Sequence, residues 1–203
     1  MITTTHGAKA SRPRGAARRE ALLEAVLRIV AEVGPDAVTH RRVAEVAELP
    51  LASTTYWFQS KEHLLTAALE LAADRDTARL LTYAAAVDEG GAQDPLDAVV
   101  SAIADTCDDD SQCSRASLIA TFALLLEAAR RPALRDIAQR WTEAYLVTLE
   151  RLLARAGSAH PREDAELLLA ATDGLMIEQL ATGAEGDLRP RLRRLAAALV
   201  VSA

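Results

Sequence analysis

Proline fixes its own φ and donates no backbone hydrogen bond, so it stands at helix boundaries and not inside them. The seven prolines of this chain, with glycine and small polar residues, cut 203 residues into helical lengths. Pro13 lies in a polar stretch, 1–15, that reads as a mobile basic arm. A first helix follows over 16–33, with Leu22, Ala25, Val26, Ile29, Val30 and Val33 on one face, and Gly34-Pro35 ends it. Thr39 is a good N-cap for a second helix, 40–47, which presents Val43, Ala44 and Ala47. Glu48-Leu49-Pro50 breaks that helix, and a third covers 51–57. Ser60 caps a fourth, which carries Leu64, Leu65, Ala68, Leu69 and Ala72 and reaches the region of Tyr83. After a loop over 88–95, Pro95 opens a fifth helix to about Cys107. The sixth spans 115–129 and stops at Arg131-Pro132. The seventh runs 133–156 to Gly157, and the eighth goes from Pro161 to Gly183. Asp187 caps a ninth with Pro190 in its first turn. No segment alternates with the period of a strand. The expected fold is all-α, with about nine helices.

Composition narrows the function. Half of the residues are apolar and 26% are charged, as in ordinary globular proteins. No apolar run approaches the roughly 18–20 residues of a membrane span. The first ten residues are polar and offer no secretion signal, so a cytoplasmic protein is expected. Two cysteines, Cys107 and Cys113, are too few for a disulfide scaffold. Net charge is −6, but it is unevenly spread. Residues 1–61 hold nine Lys/Arg against six Asp/Glu, and residues 62–203 hold 14 against 23. A basic head on an acidic body suggests that only the head meets a polyanion. Aromatic residues make up 3% of the chain, yet Tyr56, Trp57 and Phe58 are consecutive.

Two short helices joined by a three-residue break, packed on a longer first helix, make a helix-turn-helix. A helix of this size fits the DNA major groove, where base edges present distinguishable donors and acceptors. Ser53, Thr54 and Thr55 are short hydroxyls suited to phosphates or base edges. Leu51 and Ala52 suit a thymine methyl, and Tyr56 and Trp57 offer flat faces with one polar hydrogen each. Thr39, His40, Arg41 and Arg42 open the second helix, where they can point at a phosphate. Lys61 stands where it can clamp another.

The run Thr39-x-Arg41-x-Val43-Ala44-x-x-Ala47-x-Leu49, followed by Ser53-Thr54-Thr55-Tyr56-Trp57-Phe58-Gln59-Ser60-Lys61-Glu62-x-Leu64-Leu65, resembles the TetR family of transcriptional regulators. The match covers about residues 18–66. Beyond it the chain shares only length, helical layout and an Asp173-Gly174-Leu175 step. The resemblance implies a homodimer, most simply a repressor, with a DNA-binding domain at 16–60. A C-terminal domain at 61–203 would bind a small-molecule effector and dimerise. It implies that Thr39 and Lys61 touch phosphates and that Arg41, with Arg42 beside it, touches phosphate or base. Leu51, Ala52, Ser53, Thr55, Tyr56 and Trp57 would face the groove, with Phe58 in the core. Three positions depart from the family pattern. Glu48 replaces the usual turn glycine, so that backbone either avoids the left-handed region or bears about 1–2 kcal/mol of strain. Pro50 replaces the usual N-cap serine. Thr55 replaces the usual tyrosine, and Tyr56 comes one place later.

The body offers weaker signals. Trp141 and Tyr145 lie four apart on one helical face. With Phe122 they form either an effector-pocket wall or core and dimer contacts. Asp173 and Glu178 sit on a largely apolar helix, where they bind ligand, cap, pair with an Arg or face solvent. A four-helix bundle of the eighth and ninth helices of two subunits is the expected dimer interface, with Leu168, Leu175, Leu192, Leu195 and Leu199 as candidates. Cys107 and Cys113 flank Asp108–Asp110, but a five-residue spacing is not that of a metal site. No metal or cofactor is expected. A helical-bundle oxidase needs Glu-x-x-His pairs, and none occurs among the four histidines, His6, His40, His63 and His160. No phosphate-cradling glycine motif or nucleophile elbow is present. An adaptor using the head for protein contacts is the other rival. It should select no DNA sites, whereas a regulator should select a few.

Overall fold

A computed structural model describes residues 14–88, 94–104 and 115–201, and all of its regular elements are helical. The helices are α1 (Arg14–Val33), α2 (His40–Val46), α3 (Leu51–Trp57), α4 (Lys61–Asp88) and α5 (Pro95–Ala104). They continue with α6 (Arg115–Ala128), α7 (Pro132–Ala156), α8 (Pro161–Thr182) and α9 (Arg189–Val201). A single 3₁₀ turn, Pro35–Ala37, separates α1 from α2. The expected all-α fold is the one observed. Arg14 and Gly15, assigned from sequence to the arm, instead open α1, and α4 runs past Tyr83 to Asp88. Residues 1–13 of the arm, 89–93 of the loop, the fifth helix's end at Cys107, Asp108–Asp110 and Cys113 lie outside the described residues.

Capping residues set the boundaries. The Thr39 hydroxyl accepts the Arg42 backbone N–H at 3.2 Å, and the Ser60 hydroxyl accepts that of His63 at 3.1 Å. Gly157 ends α7 at φ 95°, with Ser158 N–H reaching back to the Leu153 carbonyl at 3.0 Å. The end of α2 has the same hydrogen-bond pattern. Leu49 N–H donates to the Ala44 carbonyl at 3.0 Å and Glu48 N–H to that of Glu45 at 3.2 Å. Here the left-handed residue is Glu48, at φ 54°. Of the two options left by the sequence, the strained one is realised. A side chain pays about 1–2 kcal/mol for this conformation, which glycine adopts freely. Glu48→Gly is therefore expected to stabilise the protein by about 1 kcal/mol and raise Tm by about 2–4 °C in a thermal melt. A lower Tm would show that the turn bears no such strain.

The apolar arc of α1 is wider than one stripe because it is covered on two sides. Leu22, Leu23, Val26, Ile29 and Val30 are all buried. The helix packs against α2, α3 and α4 and also against α6. Helix α4 continues from the N-terminal helices into the rest of the molecule, where it lies along α7. Helix α8 packs on α7, and α9 packs on α5 and α8.

This arrangement corrects part of the expected dimer interface. Leu168 and Leu192 are fully buried inside the chain, on the faces α8 and α9 turn to their own neighbours, and are closed to a second subunit. Leu175, Leu195 and Leu199 are half-buried against the same core. The apolar residues that α8 leaves in solvent are others, Leu167 at 58% and Ile177 at 49% exposure, with Ala170 and Gly174 between them. The α8 sequence is apolar on two sides, and periodicity does not say which side the chain keeps for itself.

Candidate nucleic-acid interface and ligand cavity

Helix α3 has seven residues, so a single inward pair fixes its orientation. Thr54 and Phe58, four apart, are both buried, and the Thr54 hydroxyl donates to the Leu51 carbonyl at 2.8 Å. Thr54 is thereby removed from the hydroxyls expected to reach DNA. Its burial turns Leu51, Ala52, Thr55 and Tyr56 outward, with Ser53 half-exposed. Leu51 is 50% and Tyr56 78% exposed, large apolar surfaces left in water at the tip of the molecule. Trp57 departs from the expectation that it shares this face. Its indole packs back on the core and reaches the first turn of α1, where an added Cβ on Gly15 would lie 3.5 Å from it. The Tyr56 and Trp57 rings meet edge to face at 5.0 Å. This contact braces Tyr56 from behind.

Helix α2 packs against α3. The Arg41 side chain is 85% exposed and its Nε donates to Glu45 Oε1 at 2.9 Å. Arg42 is half-buried and Thr39 is exposed. Lys61 is already engaged, donating to the Asp36 carbonyl at 2.9 Å and lying 3.4 Å from its carboxylate. It staples the 3₁₀ turn to the start of α4. Arg28 of α1 donates to the Val46 carbonyl at 3.1 Å, which holds the end of α2.

The second feature is internal. Side chains from α4 to α8 form a cavity of about 80 Å³. Trp141, Tyr145 and Phe122, grouped from the sequence as a pocket wall or as core, line it together, and so does Asp173, one of the two acids singled out on α8. Glu178 does not line it and projects into solvent on the far side of α8. The position of Glu178, five residues beyond Asp173, rotates it off the cavity. Asp76 is a wall residue that the sequence reading missed. Its carboxylate accepts the Trp141 indole N–H at 3.0 Å and the Tyr145 hydroxyl, and pairs with Arg79. Arg79 also donates to the Tyr145 oxygen at 3.2 Å. Buried Trp and Tyr need partners for their polar ends, and Asp76 supplies both. The available signal was faint, since Asp76 lies within the polar run Asp74-Arg75-Asp76-Thr77 of α4, three residues before Arg79, and both look like surface residues.

Asp173 has a different environment. Burial pushes its carboxyl up to about 6, and no described cation or donor offsets this. Phe122, Leu125 and Asp173 also border a second cleft of about 460 Å³ between α6 and α8, which Leu126 and Ile177 line as well. Among the described residues no group of His, Cys, Asp and Glu is placed to hold a metal ion. No described helix is long and apolar enough to cross a membrane.

Residues 94–202 match the family described as "Tetracyclin repressor-like, C-terminal domain". Over 177 residues the chain is 28% identical to the HTH-type transcriptional regulator BetI of Burkholderia thailandensis, covering 87% of this chain and 88% of that protein. Its fold is similar to that of a TetR family member from Streptomyces coelicolor A3, with a TM-score of 0.72, 30% identity and coverage of 92% and 98%. It is also similar to the multidrug binding protein EbrR solved with imidazole, with a TM-score of 0.66, 30% identity and coverage of 93% and 96%.

Proposed function

The chain belongs to the TetR family of transcriptional regulators, and from that premise we propose that it acts as a homodimeric repressor released from a near-palindromic operator by a small molecule. The observation that carries this reading is the outer face of α3, where Leu51 and Tyr56 stand exposed, on a helix that packs against α2 with its exposed Arg41. Residues 16–60 form the DNA-binding unit and 61–203 the effector-binding and dimerisation unit. Leu51, Ala52, Ser53, Thr55 and Tyr56 enter the major groove. Thr39, Arg41, Arg42 and Lys61 meet the backbone, and Trp57 supports Tyr56. Arg41 leaves an exposed ion pair worth only about 0.3–0.5 kcal/mol to do so. The partner subunit is received on the exposed α8 face of Leu167, Ala170, Gly174 and Ile177, with Leu175, Leu195 and Leu199 at its margin.

A small-molecule effector is supported by the cavity among α4 to α8 and by the similarity to EbrR, described as a multidrug binding protein. Helix α4 is the coupling element. Asp76 faces the cavity, and its neighbour Arg75 donates to Glu20 of α1 at 2.9 Å and also pairs with Glu24. A ligand that shifts Asp76 therefore tilts the helix that grips α1. It must favour a state whose two α3 helices no longer span successive major grooves. Coupling of about 1–3 kcal/mol changes operator affinity roughly 5–150-fold.

The test is binding of the whole chain to genomic fragments at low salt, read by gel shift. A few fragments with near-palindromic sites should be retained, with affinity falling linearly in log salt. Retention of no fragment, or of all fragments equally, would sink this reading.

A further inference from the structure

We propose that the internal cavity and the adjoining α6–α8 cleft form one binding site for an apolar organic monocation, with Asp173 as its counter-ion. The inference rests on the reading of the chain as ligand-responsive and names the chemical class of ligand. Phe122, Leu125 and Asp173 are walls of both spaces, so the two lie side by side. The cavity of about 80 Å³ is too small for a drug-sized molecule, but with the cleft of about 460 Å³ the two together reach the usual range of roughly 300–1,000 Å³. Ile177 and Ala181 stand at the rim of the cleft. They also adjoin the α8 face assigned to the partner subunit, which would roof the site.

Charge decides the class of ligand. The ionisable groups facing this space are few. Helix α4 contributes Asp76 with its partner Arg79, α7 contributes Tyr145, and α8 contributes Asp173. Helix α5 contributes Ile103, and α6 contributes only apolar and hydroxyl side chains. No Lys, Arg or His lines either space. The two carboxylates are not equivalent. Asp76 is met by Arg79, Trp141 and Tyr145. Asp173 meets no described donor or cation. A neutral ligand leaves that charge unmatched and an anion is repelled. A cation gains a carboxylate that the fold has already partly stripped of water, and the rings of Phe122, Trp141 and Tyr145 favour positive charge at their faces. The apolar remainder of the wall, including Leu125, Leu169 and Met176, selects a greasy body around that charge.

Protonation of Asp173 should then govern affinity. Its carboxyl is held up to about 6, so the charged, binding form prevails above that pH. Affinity for a permanent cation should be flat above about pH 6 and fall by up to tenfold per pH unit below it.

The test uses the full chain free of DNA, titrated by calorimetry with tetraphenylphosphonium and its isosteric anion tetraphenylborate. The cation should bind at least tenfold tighter than the anion at pH 7.5. Asp173→Asn should weaken cation binding tenfold or more and abolish the pH dependence. Its Tm at pH 7.5 should be no lower than wild type, since the change removes a half-buried charge that lacks a described partner. Asp173→Glu should keep the preference for the cation. Equal or tighter binding of tetraphenylborate, or wild-type affinity and pH profile in Asp173→Asn, would overturn the proposal. Because binding is read on free protein, such a failure leaves selection of DNA sites untouched. A chain that selected no DNA would still have to discriminate the two ions for this proposal to hold.

Discussion

Arg41→Ala and Tyr56→Ala are each expected to abolish operator binding at physiological salt while leaving Tm within about 2 °C of wild type. Both side chains stand in solvent, at 85% and 78% exposure for Arg41 and Tyr56, so their removal opens no cavity. The ion pair that Arg41 loses, with Glu45, is an exposed pair of little worth. A single groove or phosphate contact is worth about 1–3 kcal/mol, and a symmetric dimer makes each contact twice. The expected loss is therefore about 2–6 kcal/mol, or roughly 30-fold to 10⁴-fold in Kd. Fluorescence anisotropy with a selected operator reads the affinity, and circular dichroism reads the fold. If both variants bind within threefold of wild type, the exposed face of α3 does not contact DNA.

Phe58→Ala should do the opposite. Two residues from Tyr56, it is 1% exposed and closes the core where α3 ends. The His63 ring meets it edge to face at 5.4 Å, and the Arg19 guanidinium lies 5.7 Å over it. These contacts tie α3 to α4 and α1. Truncating a buried Phe costs about 3–5 kcal/mol through lost transfer energy and an unfilled cavity. At about 2–4 °C per kcal/mol, Tm should fall by roughly 6–20 °C, and DNA binding should fail with it. A Tm within 2 °C of wild type would show that Phe58 does not hold the N-terminal helices together. The two substitutions separate recognition from architecture within three consecutive aromatic residues.

Those three residues also show how far the sequence can be read. Phe58 as core and Tyr56 as exposed agree with the family pattern. Trp57 does not, because its position depends on Gly15, more than 40 residues earlier, leaving room for an indole on α1. Thr54 was read with its neighbours as a polar surface residue. Its own hydrogen bond to the Leu51 carbonyl lets it be buried without an unmet donor. The association of Trp141 with Tyr145 was accessible from helical spacing, and that of Phe122 from the scarcity of aromatic residues, while Asp173 stood out only as an acid on a largely apolar helix. Asp76 was not accessible, because the residues it serves, Trp141 and Tyr145, lie 65 and 69 positions away.

The amino-acid sequence by itself determined the helical type of the described elements, their caps at Thr39, Ser60 and Gly157, and the helix-turn-helix pattern of 39–61. All of these depend on interactions within a few residues, where chain geometry leaves little choice. The tertiary structure alone decided which apolar side of α8 is core and which is left in solvent. It also decided that Glu48 accepts the left-handed turn, and that Asp76 is neutralised while Asp173 is not. Those outcomes depend on which distant surfaces meet, and burial and charge compensation are properties of the meeting, not of either segment alone.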